Sequence, residues 1–219
     1  MRYLVVYKTV AGATNVTFRR GVFGRGSAPI IETLCGGAGR RCNSPLRGTE
    51  RLTPAQVRQV LAGLFHVQIN TLHNDKGEIR GQIGRLYTVR TVLNAAQEVP
   101  PPAGVPANAT GLFTGTLVKY GARGHFEWRL TYRNLTGEAQ AAHIHAGRRG
   151  QAGNVLENLC GTDQAPDCAS GVTGDIAFHD SPGRRALAQL HAGRTYVNVH
   201  TAANQTGEIR GQIPKPRKL

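Results

Sequence analysis

One seven-residue string, GEIRGQI, occurs twice in this chain, at 77–83 and again at 207–213. Upstream of each copy the likeness continues in the same order. LAGLFHVQINT (61–71) matches LHAGRTYVNVHT (190–201) in pattern, and IIETLC (30–35) matches VLENLC (155–160), each followed by a second cysteine. The offset stays between 125 and 130 residues, so the chain is a tandem duplication. Whatever one copy folds into, the other must fold into as well. The copies are unequal. Met1 aligns near Phe126, and the second copy has about 39 residues in front, roughly 87–125, with no counterpart in the first. We read domains over 1–86 and 87–219, the first an N-terminally truncated repeat. Its missing opening strands lie upstream or are borrowed from an assembly partner.

Within each copy the pattern is β. HFEWRLTYRNL places Phe126, Trp128, Leu130 and Tyr132 on alternate positions, the period of a half-buried strand. In YVNVHT, Val197 and Val199 share one face, Asn198 and His200 the other. Glycine- and proline-rich turns punctuate these short runs. The expected fold class is all-β, a Greek-key β-sandwich or barrel. One helix stands out, TPAQVRQVLAG (53–63), with Thr53 as N-cap, Pro54 as first helical residue and Gly63 as stop.

The four cysteines fall in two local pairs, CGGAGRRC and CGTDQAPDC. Neither has zinc-finger spacing, and two disulfides are expected, Cys35–Cys42 and Cys160–Cys168; the alternative is four reduced thiols. Disulfides imply an extracytoplasmic setting: envelope, periplasm or secreted. No apolar run is long enough to span a bilayer, and no export signal is visible. With 27 Lys and Arg against 13 Asp and Glu, the formal charge is +14, a field that attracts anions. The arginines are scattered and no nucleic-acid-binding motif occurs, so nucleic acid is a poor partner for this chain.

AAHIHAG (141–147) carries the chemistry. His143 and His145 share one face of a strand, and His200 also avoids the apolar face of its own. If the two strands are neighbours, three imidazoles converge outside the barrel wall. Aligned without gaps back from the cysteines, His143 and His145 fall on Phe18 and Arg20, and His200 falls on Asn70. All three histidines are thus absent from the first copy, as expected of a unit with a shared task. Three neutral imidazoles suit zinc or copper. The fourth ligand is open among His179, His191 and His125, with His179 first. The competing reading is three solvent-facing histidines in hydrogen bonds.

LNAAQEVPPP, AAHIHAGRRGQAGNVLENLCG and AGRTYVNVHTAANQTGEIRGQI, in this order over 90–213, resemble the CHRD domain first described in chordin; residues 1–83 look like a degenerate copy. The resemblance implies a secreted or envelope-associated module. A second, weaker one is to copper/zinc superoxide dismutases, Greek-key barrels with an H-x-H pair and a later V-H. It implies that His143, His145 and His200 are copper ligands and that Arg210 steers superoxide. No bridging histidine or zinc loop matches, which implies copper alone. Two functions are therefore expected: a three-histidine copper protein dismuting superoxide, or a non-catalytic surface module binding envelope proteins or acidic polymers.

Overall fold

Alternating apolar residues pair into antiparallel sheets in the computed structural model, which describes residues 1–8, 10–22, 29–36, 41–163 and 165–219. The chain divides into two units, Met1–Gly84 and Arg85–Leu219. Leu86, read above as the boundary, lies inside the first strand of the second unit.

The first unit contains β1 (Arg2–Val5), β2 (Ala13–Arg20), β3 (Ile30–Cys35), β4 (Leu46–Thr49), α1 (Pro54–Leu61), β5 (Phe65–Thr71) and β6 (Ile79–Gln82). Its larger sheet has the order β3-β2-β5-β6; β1 and β4 form a two-stranded sheet. The core is small: Val16, Phe18, Leu34, Val60, Phe65 and Ile69, with Cys35. Phe18 stacks on Phe65 with ring centres 4.8 Å apart. α1 begins as expected. The Thr53 side chain accepts from the Gln56 backbone N–H while the Gln56 side chain reaches back, a reciprocal cap. Gly63 follows with φ +77°, the left-handed conformation that ends the helix.

The second unit contains β7 (Arg85–Leu93), a 3-10 turn (Ala95–Gln97), β8 (Thr110–Tyr120), β9 (Arg123–Arg133), β10 (Ala139–Ala146), β11 (Val155–Cys160), β12 (Thr173–Phe178), α2 (Ser181–His191), β13 (Thr195–Thr201), β14 (Ile209–Ile213) and β15 (Arg217–Lys218). A five-stranded sheet, β12-β9-β8-β7-β15, accompanies a four-stranded one, β11-β10-β13-β14. Between them lies one core that includes Phe113, Leu117, Phe126, Leu130, Ile144, Val197 and Ile213, each 2% exposed or less. The register relates the units strand for strand. Arg2 pairs with Thr49 in β1·β4 as Glu127 pairs with Asp175 in β9·β12, so the two-stranded sheet matches β9 and β12. Among the described residues, the first unit has no strand matching β7, β8 or β15.

The register also corrects the histidine alignment. Val16 pairs with Ile69 and Ala142 with Val199; Thr17 pairs with Gln68 and His143 with Asn198. His143 and His145 therefore match Thr17 and Arg19, not Phe18 and Arg20. The first copy has one more residue between this strand and its cysteine, so an ungapped alignment slips by one, and one residue is a whole face of a strand. Phe18 is core, the counterpart of Ile144. His200 still matches Asn70.

The repeated string proves to be a structural device. Gln82 and Gln212 each donate through Nε2 to the backbone carbonyl that opens the neighbouring strand, Phe65 at 2.6 Å and Thr195 at 2.8 Å, and to the glycine carbonyl after the helix. Glu78 and Glu208 accept from Thr71 and Thr201. Gly77 and Gly207 share φ +133°. These contacts close the same turn twice, which is why the string persists where the histidines do not.

A second helix, α2, was not expected from the sequence. Asp180 caps it, accepting from the Gly183 N–H at 2.8 Å, and Pro182 sits in its first turn. The signal matched that of α1: a capping residue, proline one or two later, and glycine (Gly193) at the end. Gly183 and the Arg184–Arg185 pair obscured it.

Candidate metal centre

β10 and β13 are neighbours, paired antiparallel over Ala139–Ala146. Ala142, Ile144, Val197 and Val199 point into the core. By strand alternation the opposite face carries His143 across from Asn198, His145 across from Tyr196 and His200 across from Ala141. Ligand atoms of the three histidines all lie within 4.8 Å of one another. His143 Nδ1 stands 3.0 Å from His200 Nε2. Ring centres of His143 and His200 are 4.8 Å apart, those of His143 and His145 5.6 Å.

The hydrogen bonds set which nitrogen of each ring is available. His145 Nδ1 faces the Gly153 carbonyl at 2.9 Å, and His200 Nδ1 faces that of Gln205 at 2.9 Å. A carbonyl accepts only, so each Nδ1 carries the hydrogen and each Nε2 keeps its lone pair. His145 is 9% exposed, and its Nε2 is buried with no hydrogen-bond partner. A buried ring nitrogen without a partner is costly unless something else fills the role. All three imidazoles titrate below the ordinary value of 6.5, with burial the leading cause. His143 falls furthest, to about 4, with His200 and His145 adding repulsion. At neutral pH the three rings are therefore uncharged bases, the state in which imidazole ligates metal. The chemistry of the donor set fits copper or zinc: three nitrogen bases, no thiolate, and no carboxylate among the ligating group.

Two expected site residues are engaged otherwise than expected. His179 follows β12, where its Nε2 meets the Tyr120 hydroxyl at 2.8 Å; it is not part of the histidine group. Arg210 is near the trio but only 2% exposed. Its guanidinium lies 3.4 Å from the centre of the Tyr196 ring and donates to the carbonyls of Arg148 and Gln151 at 3.1 and 2.9 Å. Tyr196 in turn stacks on His145 at 4.8 Å, nearly parallel. Steering needs a charge that an arriving anion can meet. Here the arginine instead pins the loop between β10 and β11, which brings the Gly153 carbonyl to His145.

The sequence reading also missed Asn198 and Glu98. Asn198 is 2% exposed, its Oδ1 3.0 Å from His200 Nε2. Glu98 is 6% exposed, and burial raises its carboxyl to about 7 against the opposing pull of Arg210 and Asn198. Strand alternation placed Asn198 on the face of His200, but nothing in the sequence marked it as part of the site. Nothing local places Glu98, which is brought in by the fold.

Fold and site together define a class: a disulfide-bonded tandem β-sandwich module whose second copy displays a three-histidine cluster. Cys35 is bonded to Cys42 and Cys160 to Cys168. The profile of the CHRD domain matches residues 1–83 and 89–213, and the chain belongs to that family. It is also similar to Chordin of Danio rerio, 28% identical over 177 residues. That stretch is 76% of this chain but 18% of Chordin, so the chain spans less than a fifth of that relative's length. No solved structure matches it. Family, relative and disulfides point to an extracellular protein, and among the described residues no helix is long and apolar enough to cross a membrane.

Proposed function

We propose that this chain is an extracellular CHRD module that binds one copper ion through His143, His145 and His200, with zinc as the competing metal. The observation that carries this reading is the buried, partnerless Nε2 of His145, aimed into a cluster with two more neutral imidazoles. Backbone carbonyls behind His145 and His200 fix the tautomers that a metal needs. Bound copper would supply one-electron chemistry, and superoxide dismutation is the reaction to assay. The protein's own part is to keep the rings neutral and oriented. With Arg210 buried, attraction of an anion would rest on the overall charge rather than on that residue.

The test is the metal content of the purified chain after loading with Cu(II) or Zn(II), beside His143→Ala and His145→Ala. Stoichiometric metal in the wild type and loss in both variants is expected. Absence of metal from the wild type, or equal retention in the variants, overturns the reading.

A second reading has its own observation. The five-stranded sheet carries an open groove of about 710 Å³ whose lining includes Arg90, Arg129, Lys215 and Arg217 against the single acid Glu127. Such a surface fits an acidic polymer or an acidic partner protein. Polyanion binding that survives His143→Ala but weakens on Arg90→Gln with Arg129→Gln would support it.

A further inference from the structure

Asn198 and Glu98 supply what the three histidines lack. The Asn198 amide lies with its Nδ2 on the side of Glu98, whose buried Oε1 has no other hydrogen-bond partner to accept from. Both groups crowd the same side of Gly207, where a Cβ would overlap the Glu98 carboxylate and come within 2.9 Å of Asn198 Nδ2. With the NH2 so committed, Oδ1 faces the opposite way, 3.0 Å from His200 Nε2. That nitrogen has a lone pair, because the hydrogen of the ring is on Nδ1 against Gln205. His143 Nδ1 stands 3.0 Å from the same nitrogen. An amide oxygen and a ring nitrogen, lone pair to lone pair, repel each other. The contact becomes favourable when a cation sits between them. Donors on a tetrahedral ion with bonds near 2.0–2.1 Å are about 3.3 Å apart, close to the separations found here.

We propose that Asn198 Oδ1 is the fourth donor of the histidine centre, held in that orientation by the buried carboxylate of Glu98. This rests on the metal-binding reading above. Asn198 is a ligand, and Glu98 a positioning residue that touches no metal. The first unit accords with this division. At the position of Asn198 it has Gln68, whose amide nitrogen donates instead to Asn70 Oδ1 at 2.9 Å and the Lys76 carbonyl at 3.0 Å. The structure shows no counterpart of Glu98 there among the described residues, and the histidine positions are Thr17, Arg19 and Asn70.

The test compares full-length wild type, Glu98→Gln and Asn198→Ala by Cu(II) titration, by the electron paramagnetic resonance spectrum of the copper-loaded protein, and by thermal unfolding of the metal-free protein. Glu98→Gln keeps the shape but replaces one of the two acceptor oxygens with an NH2 donor, so the Asn198 amide is no longer held in one orientation. Copper affinity is expected to fall about 10–100-fold, while the metal-free midpoint stays close to that of the wild type, because the shape is kept. Asn198→Ala is expected to shift the spectrum toward a different oxygen donor with the three nitrogens retained. A purely structural role would lower the metal-free midpoint and leave spectrum and affinity alone. Wild-type affinity and spectrum in Glu98→Gln overturns this proposal and leaves the three-histidine site standing. A wild type that binds neither copper nor zinc overturns both.

Discussion

His143 gains a pKa of about 4 from its surroundings, and a proton must therefore compete for it far below neutrality. In the unfolded chain the same ring takes its proton near 6.5. Between these values the unfolded state binds more protons, so this histidine costs stability as pH falls from about 6.5 toward 4 and costs nothing above. The expected outcome is a gap between wild type and His143→Asn that narrows or reverses in that window; urea midpoints at a series of pH values measure it. Gly207 gives a second prediction at this scale. With φ +133° and the Glu98 carboxylate where a Cβ would go, Gly207→Ala is strained twice. It should lose more than about 1 kcal/mol, read from the denaturation midpoint. The histidine trio was legible because polar and apolar residues alternate along two strands. Asn198 falls on the same face by that rule, but an asparagine on a strand carries no metal-ligand signature of its own. Glu98 was not legible: it lies 100 residues before Asn198, and only packing joins them.

Elements show where pattern reading succeeds and where it slips. The α1 cap followed from Thr53, Pro54 and Gly63, whereas the same grammar in α2 was masked by Gly183 and two arginines. If the Asp180 cap holds α2 as its geometry indicates, Asp180→Ala costs about 0.5–2 kcal/mol in thermal unfolding. The slip of His143 onto Phe18 came from a single extra residue between strand and cysteine, and the ladder in the sheet settled it. Arg210 shows the limit of reading a charge by its type. It is drawn into the wall by Tyr196 and two carbonyls of the β10–β11 loop. Arg210→Met should leave the strand in place but loosen that loop, seen as faster amide exchange over 147–154, and weaken metal binding at the proposed site, because the Gly153 carbonyl no longer sets His145.

At the scale of the molecule the two copies diverge in how much they bury. Ile209 is fully buried in the second unit, while its counterpart Ile79 is 43% exposed. Among the described residues the first unit buries seven core residues and the second twenty. Smaller cores hold less hydrophobic free energy, about 1.5–3 kcal/mol for each large side chain fully buried. Calorimetry should therefore resolve two transitions, the lower one from Met1–Gly84. A single cooperative transition would refute the inequality. By itself the sequence determined the duplication, the strand class, the cysteine pairs and which face of β10 and β13 bears the histidines, because each depends on local periodicity or short spacing. Tertiary structure alone decided that β10 and β13 are neighbours, that His179 belongs to Tyr120, that Arg210 is buried, and that Glu98 stands behind Asn198. Those facts depend on which distant segments pack together, and side-chain pattern along one strand carries no record of its partner.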